Sequence, residues 1–287
     1  MAHVGIIGAG TMGCGIAQCL AASGRQVVVV DPEASALASG PDRLRQGVRA
    51  ARLLGRGAGA VPEEILSRVR WRERIDDLDG AGFVIECAPE RSAVKGQVFR
   101  ALDAHCPPET VLASCTSAIP IGWLAAHTGR PERVLGLHFM NPAPLTAAVE
   151  VVRAAGTGDD ALRLARELLD DIGKRGIVVG DGPGFVSNRL LMMLVNEAAA
   201  MLGAGTADAA TVDRIFQDCF GHPMGPLRTA DLIGLDIVRD TLLVLVEHTG
   251  DGRFTPCEPL TRLVEEGRLG RKSGSGFHEY RTAVRQR

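Results

Sequence analysis

Residues 8–13 read Gly-Ala-Gly-Thr-Met-Gly, directly after the apolar run VGII and directly before a stretch of helical spacing. A glycine-x-glycine-x-x-glycine in that place joins a strand to a helix in a parallel βαβ unit. Gly8 permits the tight turn, Gly10 lets a pyrophosphate come close to the backbone, and Gly13 lets the helix pack on the strand. Thr11 and Met12 bring the first helical amides to the same spot, where they face phosphate. Glycine-rich turns are common, so the loop needs a second mark. Asp31, eighteen residues beyond Gly13, ends the next apolar run, where a carboxylate accepts hydrogen bonds from the adenosine ribose hydroxyls. Its charge would repel a 2′-phosphate, and Pro32 follows where an arginine could have welcomed one, so the expected dinucleotide is NAD.

The first half of the chain continues this alternation. Strands are expected at 4–7, 27–30, 83–85, 111–113, 134–137, 149–152 and 177–179, and helices at 10–23, 34–54, 92–104 and 159–172. That pattern predicts an α/β fold, a Rossmann-type doubly wound and mainly parallel sheet over residues 1–181. Turn residues cluster at 180–184, and beyond them long helices are expected at 185–202, 208–220 and 228–248. Residues 182–287 therefore read as a smaller all-α C-terminal domain. The first of its helices carries LLMMLVNEAAAML, which suits either a central core helix or a subunit interface.

Composition excludes several classes. With 23% charged residues and a net charge of -2, the chain has no basic excess to attract nucleic acid. The start MAHVGIIGAG has no basic leader, and no run reaches the roughly eighteen apolar residues of a membrane span, so a cytoplasmic location is expected. Seven cysteines, Cys14, Cys19, Cys87, Cys106, Cys115, Cys219 and Cys257, show no C-x-x-C spacing and read as small buried hydrophobes. The histidines are scattered, and no metal is expected.

One histidine stands apart. His138 lies in GLHFMNP, near the end of an apolar run and just before a turn at Asn141 and Pro142. Taken alone, such a histidine is more often a core residue satisfied by a carbonyl. A bound nicotinamide changes the balance, because a residue must take up a proton as hydride leaves, and histidine's ordinary pKa of about 6.5 suits that task. The position falls near the C-terminal edge of the sheet, where doubly wound folds bind ligands. Glu150, at the start of another strand, could return beside His138 and hold the imidazole, although spacing alone equally allows an exposed carboxylate.

Over essentially its full length the chain resembles the L-3-hydroxyacyl-CoA dehydrogenase family. The resemblance is carried by GAGTMGCGIAQ, SCTSAIPI, GLHFMNP with Glu150, DGPGFVSNRLL, HPMGPL and LGRKSGSGF. It implies that His138 is the catalytic base and Glu150 its partner. Ser117 and Asn188 would hold the substrate oxygen, Asn141 would lie at the substrate, and Glu90 and Lys95 near the nicotinamide ribose. The implied reaction interconverts a 3-hydroxyacyl and a 3-oxoacyl thioester with NAD, in a homodimer joined through the helical domain.

Several positions depart from the family pattern. Cys115 and Ala118 replace an asparagine and a serine of S-N-T-S-S, and Met140 replaces an aromatic residue. The helix positions that contact CoA in relatives fall on Gly47 and Leu54, which offer neither charge nor hydroxyl. Arg49, Arg52 and Arg56 lie nearby; they could replace that charge, meet an acidic acyl carrier protein, or form a solvated helix face. CFGHPMGPLRTADLIGLD also resembles relatives that oxidise a glyceryl group on an acyl carrier protein to make polyketide extender units. Both carriers therefore stay open. A retired NADH-binding protein, like the family's lens crystallin relative, is a third reading, and the survival of Ser117, His138, Glu150 and Asn188 argues against it. Dehydrogenases of the 6-phosphogluconate type use a lysine base, and no lysine lies between Lys95 and Lys174.

Overall fold

The computed structural model describes residues 3–55 and 61–280; Arg56, named above, lies outside them. The chain falls into two units, Met1–Gly182 and Pro183–Arg287. The first runs β1 (Val4–Ile7), α1 (Thr11–Ala22), β2 (Val27–Val30), α2 (Ala34–Leu53), α3 (Pro62–Ser67), β3 (Val69–Arg72), β4 (Phe83–Glu86) and α4 (Ser92–His105). It continues with β5 (Val111–Ser114), α5 (Ile121–Ala125), β6 (Val134–Phe139), β7 (Ala148–Arg153), α6 (Asp159–Asp171) and β8 (Arg175–Gly180).

These strands form one eight-stranded sheet in the order β3-β2-β1-β4-β5-β6-β7-β8. Strands β1 to β6 are parallel, β7 pairs antiparallel with β6, and β8 pairs parallel with β7. The strand order reverses between β1 and β4, and that switch point opens the crevice in which such sheets take ligands. Strands β1, β2, β4 and β5 are buried at every residue, which is why they read as unbroken apolar runs. β3 was not expected from the sequence. It is an edge strand, VRWR, whose two arginines are exposed, so its apolar signal is only Val69 and Trp71. Ile6, Val29, Ile85, Leu137, Val151 and Leu168 belong to the core cluster shared by the sheet and its helices.

The second unit is helical: α7 (Ser187–Gly203), α8 (Ala209–Phe220), α9 (Pro226–Ile233), α10 (Leu235–Thr249) and α11 (Glu258–Glu265). The single helix expected at 228–248 is two helices. Gly234 has φ 106°, which breaks the helical path, and the next amide, Leu235 N–H, bonds to the Leu269 carbonyl. α11 was also not expected. α7 buries Met192, Val195, Ala198 and Ala199 and leaves Leu190 exposed.

Two buried aspartates hold the end of this unit together. Asp213 accepts the N–H groups of Leu227 at 2.9 Å and Arg228 at 3.0 Å, and stands 2.7 Å from His278 Nε2. Asp231 accepts the N–H groups of Phe277 and His278, each at 2.9 Å, and the Tyr280 hydroxyl at 3.0 Å. A Cβ at Gly225 would lie 2.2 Å from Asp213 Oδ1, and one at Gly276 would lie 2.0 Å from Asp231 Oδ1. The glycines of HPMGPL and LGRKSGSGF thus admit these carboxylates.

Not every cysteine is a core residue. Cys14, Cys106 and Cys115 are buried, but Cys219 is exposed near the end of α8, which corrects the expectation for that position. No helix among the described residues is long and apolar enough to cross a membrane.

Candidate active site

The glycine loop lies at the switch point. Gly8 has φ 103°, and a Cβ there would lie 2.7 Å from the Cys87 carbonyl at the end of β4. A Cβ on Gly13 would lie 1.9 Å from the Gly8 carbonyl oxygen, so α1 can start this close to β1 only with glycine there. A Cβ on Gly10 would meet nothing within 4 Å, and the first turn of α1, with Thr11 and Met12, carries no acidic residue. That open, uncharged helix start suits a pyrophosphate. Asp31 follows β2; its carboxylate accepts the N–H groups of Ala9 at 2.7 Å and Glu33 at 2.9 Å and keeps acceptor capacity for hydroxyls. The residues present therefore fit NAD. Arg43, which the sequence reading missed, donates from α2 to the Ala9 carbonyl at 2.9 Å. Nothing in its helical surroundings in the sequence distinguishes it from a solvated arginine.

On the other side of the switch point lies a polar cluster. Lys95, on α4 and 1% exposed, donates to Glu86 Oε1 at 2.7 Å and to the Ala88 carbonyl at 3.0 Å, and its Nζ is 3.5 Å from Glu90 Oε2. Burial disfavours the ammonium, but the Glu86 and Glu90 carboxylates outweigh it and hold the Lys95 pKa above the ordinary lysine value. Glu90 Oε1 accepts from the Thr116 hydroxyl at 2.5 Å and from the N–H groups of Ser117 at 2.9 Å and Ala118 at 3.0 Å. Glu90 and Lys95 are thus tied to the segment that carries Ser117. Glu86 was not anticipated; its one sequence signal is a charged residue closing an apolar run. Cys115 neighbours Cys87, and that thiol contact, together with burial, pushes the Cys87 pKa well up.

His138 and Glu150 are register partners across the antiparallel pair β6 and β7. This register brings Glu150 back over twelve residues to place Oε2 3.0 Å from His138 Nδ1, with the two side chains 5% and 8% exposed. Ser117, partly buried, follows β5, the parallel neighbour of β6. The peptide bond between Asn141 and Pro142 is cis. Lys174 Nζ fastens the following turn by donating to the carbonyls of Ala143 at 2.7 Å and Thr146 at 2.5 Å. Asn188 stands partly buried in the first turn of α7 in the second unit.

A groove of about 410 Å³ runs between α1, the far half of α2 and the Asn141 turn, lined among others by Thr11, Gln18, Arg43, Gly47 and Asn141. A Cβ at Gly47 would lie 2.4 Å from Gln18 Oε1, so the Gln18 amide occupies the space a larger residue 47 would need.

Comparison with known proteins accounts for nearly the whole chain. A family model described as 3-hydroxyacyl-CoA dehydrogenase, NAD binding domain, matches residues 3–182, and one described as the C-terminal domain matches residues 184–280. A 3-hydroxybutyryl-CoA dehydrogenase of Bradyrhizobium diazoefficiens is 42% identical over 98% of this chain and 96% of its own. The crystal structure of Mycobacterium tuberculosis FadB2 superposes with a TM-score of 0.91 at 37% identity, over 98% of this chain and 99% of that one. That of (S)-3-hydroxybutyryl-CoA dehydrogenase from Ralstonia eutropha gives 0.88 at 35% identity, over 98% and 100%. These matches agree with the dinucleotide loop and the fold: the chain is an NAD-dependent oxidoreductase and belongs to the 3-hydroxyacyl-CoA dehydrogenase family.

Proposed function

We propose that the protein interconverts a 3-hydroxyacyl-CoA and a 3-oxoacyl-CoA, with His138 as the general base. The observation that carries this reading is the buried, register-fixed contact of His138 Nδ1 with Glu150 Oε2 at 3.0 Å. With Nδ1 engaged by Glu150, proton transfer falls to Nε2, which removes the proton of the 3-hydroxyl. NAD, when bound, accepts the hydride from C3, leaving the 3-oxo group. Glu150 stabilises the imidazolium that forms, and in the reverse direction that imidazolium returns the proton. The Ser117 hydroxyl donates to the substrate oxygen as it becomes a carbonyl, on a backbone held by Glu90. Asn188 keeps the same task on the strength of the family resemblance.

The family relatives named for CoA thioesters favour CoA as the acyl carrier. The groove beside Gly47 supports a seat for its pantetheine arm, Asn141 lines the same groove, and exposed Arg49 and Arg52 supply positive charge nearby. Residues 1–181 would hold NAD, while residues 182–287 would contribute to substrate binding and dimerisation. Exposed Leu190, Leu232, Ile237 and Leu243 on the helices of the second unit support a homodimer. A cytoplasmic enzyme is the location we assign.

The test follows nicotinamide absorbance with purified protein and 3-oxoacyl or 3-hydroxyacyl groups, glyceryl included, on CoA and on acyl carrier protein. Turnover on CoA is expected. Turnover confined to carrier-bound substrates would replace CoA with a carrier protein, and tight NADH binding without turnover on any thioester would refute the catalytic reading.

A further inference from the structure

Glu86 has no task in the reaction just described, yet it is 0% exposed. A buried carboxylate is costly unless it is paired, and all of its contacts lead into the site. Oε1 accepts from Lys95 Nζ at 2.7 Å and from the Ala88 N–H at 2.6 Å, while Oε2 accepts from the Ser114 hydroxyl at 2.6 Å. Ser114 Oγ in turn accepts the Thr116 N–H at 3.2 Å, and the Thr116 hydroxyl donates to Glu90. With Lys95 beside Glu90, the contacts close into a ring that passes from Glu86 through Lys95, Glu90, Thr116 and Ser114 back to Glu86. Ser114 and Thr116 are also 0% exposed, so little water reaches the Glu86 side of the ring to screen its charge, while the Glu90 side chain, 29% exposed, opens the ring toward the site. Two carboxylates face one ammonium, which leaves an excess of one negative charge.

That excess matters because a nicotinamide ring is cationic when oxidised and neutral when reduced. A fixed negative charge in a poorly screened place attracts the first and is nearly indifferent to the second. On the reading that the nicotinamide end of NAD lies beside Glu90 and Lys95, we propose that Glu86 is a positioning residue of this dehydrogenase. It seats Lys95 and the Ser117 segment and leaves the ring one negative charge in excess, so that binding of the oxidised cofactor is strengthened relative to that of the reduced one.

Dissociation constants for NAD+ and NADH, measured by calorimetry and by NADH fluorescence without substrate, test this directly. Glu86→Gln keeps the shape and removes the charge, and should raise the ratio of the NAD+ constant to the NADH constant about tenfold. Glu86→Asp keeps the charge but shortens the reach; it should hold the ratio within about twofold of wild type and lower kcat about tenfold, because only the positioning is lost. An unchanged ratio in Glu86→Gln overturns the assignment. Should that variant not fold, Glu86→Asp decides alone: a kept ratio with lowered kcat supports the assignment, and a shifted ratio or an unchanged kcat overturns it. Glu90→Gln separates the two layers of the argument. If it moves the ratio while Glu86→Gln does not, the nicotinamide lies by the ring and only the role of Glu86 fails. If neither variant moves it, the placement of the nicotinamide fails as well.

Discussion

Each of the two units holds a histidine beside a buried carboxylate, His138 itself buried and His278 partly so. In the first unit His138 Nδ1 stands 3.0 Å from Glu150, and in the second His278 Nε2 stands 2.7 Å from Asp213. Distance and burial barely separate them; the surroundings do. Asp213 also accepts two backbone amides at the start of α9, and the His278 amide is itself bound to Asp231, so this pair closes a web of main-chain bonds. His138 and Glu150 are opposite residues of two strands, near the C-terminal edge of the parallel strands, where folds of this kind take ligands. On the proposed reading, a histidine beside a carboxylate serves chemistry where the fold aims it at a ligand. When its carboxylate is spent on main-chain amides, the same pair is a fastening.

Substitutions can break or sharpen that contrast. The largest effect is expected for His138→Gln, which should lower turnover about 10²- to 10⁴-fold with little change in melting temperature. Turnover within a few fold of wild type would remove His138 from catalysis. Glu150→Gln keeps an acceptor for the ring N–H but no charge for the imidazolium, so kcat should fall less, by about 10- to 10²-fold in the same assay. In the second unit the loss should appear as stability. Asp213→Ala leaves two amides and an imidazole without their acceptor and should cost about 2–4 kcal/mol in urea unfolding, with kcat of the folded protein near wild type. His278→Gln should cost least, about 1 kcal/mol. If His278→Gln lost turnover as steeply as His138→Gln, the contrast between the two pairs would be void.

How much of this was readable beforehand follows from where each residue's partners lie. β1, β2, β4 and β5 were legible as apolar runs because both faces are buried, whereas the half-exposed β3 was not. Gly234 sits in LIGLD, a glycine inside an otherwise helical pattern, and only its φ of 106° reveals that the chain turns there. For Glu150 the spacing left an exposed carboxylate open. Its pairing with His138 is decided by the antiparallel turn of β7, which no local pattern announces in a sheet expected to be mainly parallel. Glu86 was invisible for a related reason, since one of its partners, Ser114, lies twenty-eight residues away on the next strand.

What the sequence determined by itself is what local chain geometry dictates. Three glycines at fixed spacing, a carboxylate at the end of the second strand and the alternation of short apolar and amphipathic runs specify a dinucleotide-binding sheet, and they do so without reference to distant residues. Only the tertiary structure decided which charges share a buried space. A carboxylate's environment depends on groups brought in from other strands, and at these distances a shift of one residue in register would turn Glu150 to the other face of the sheet.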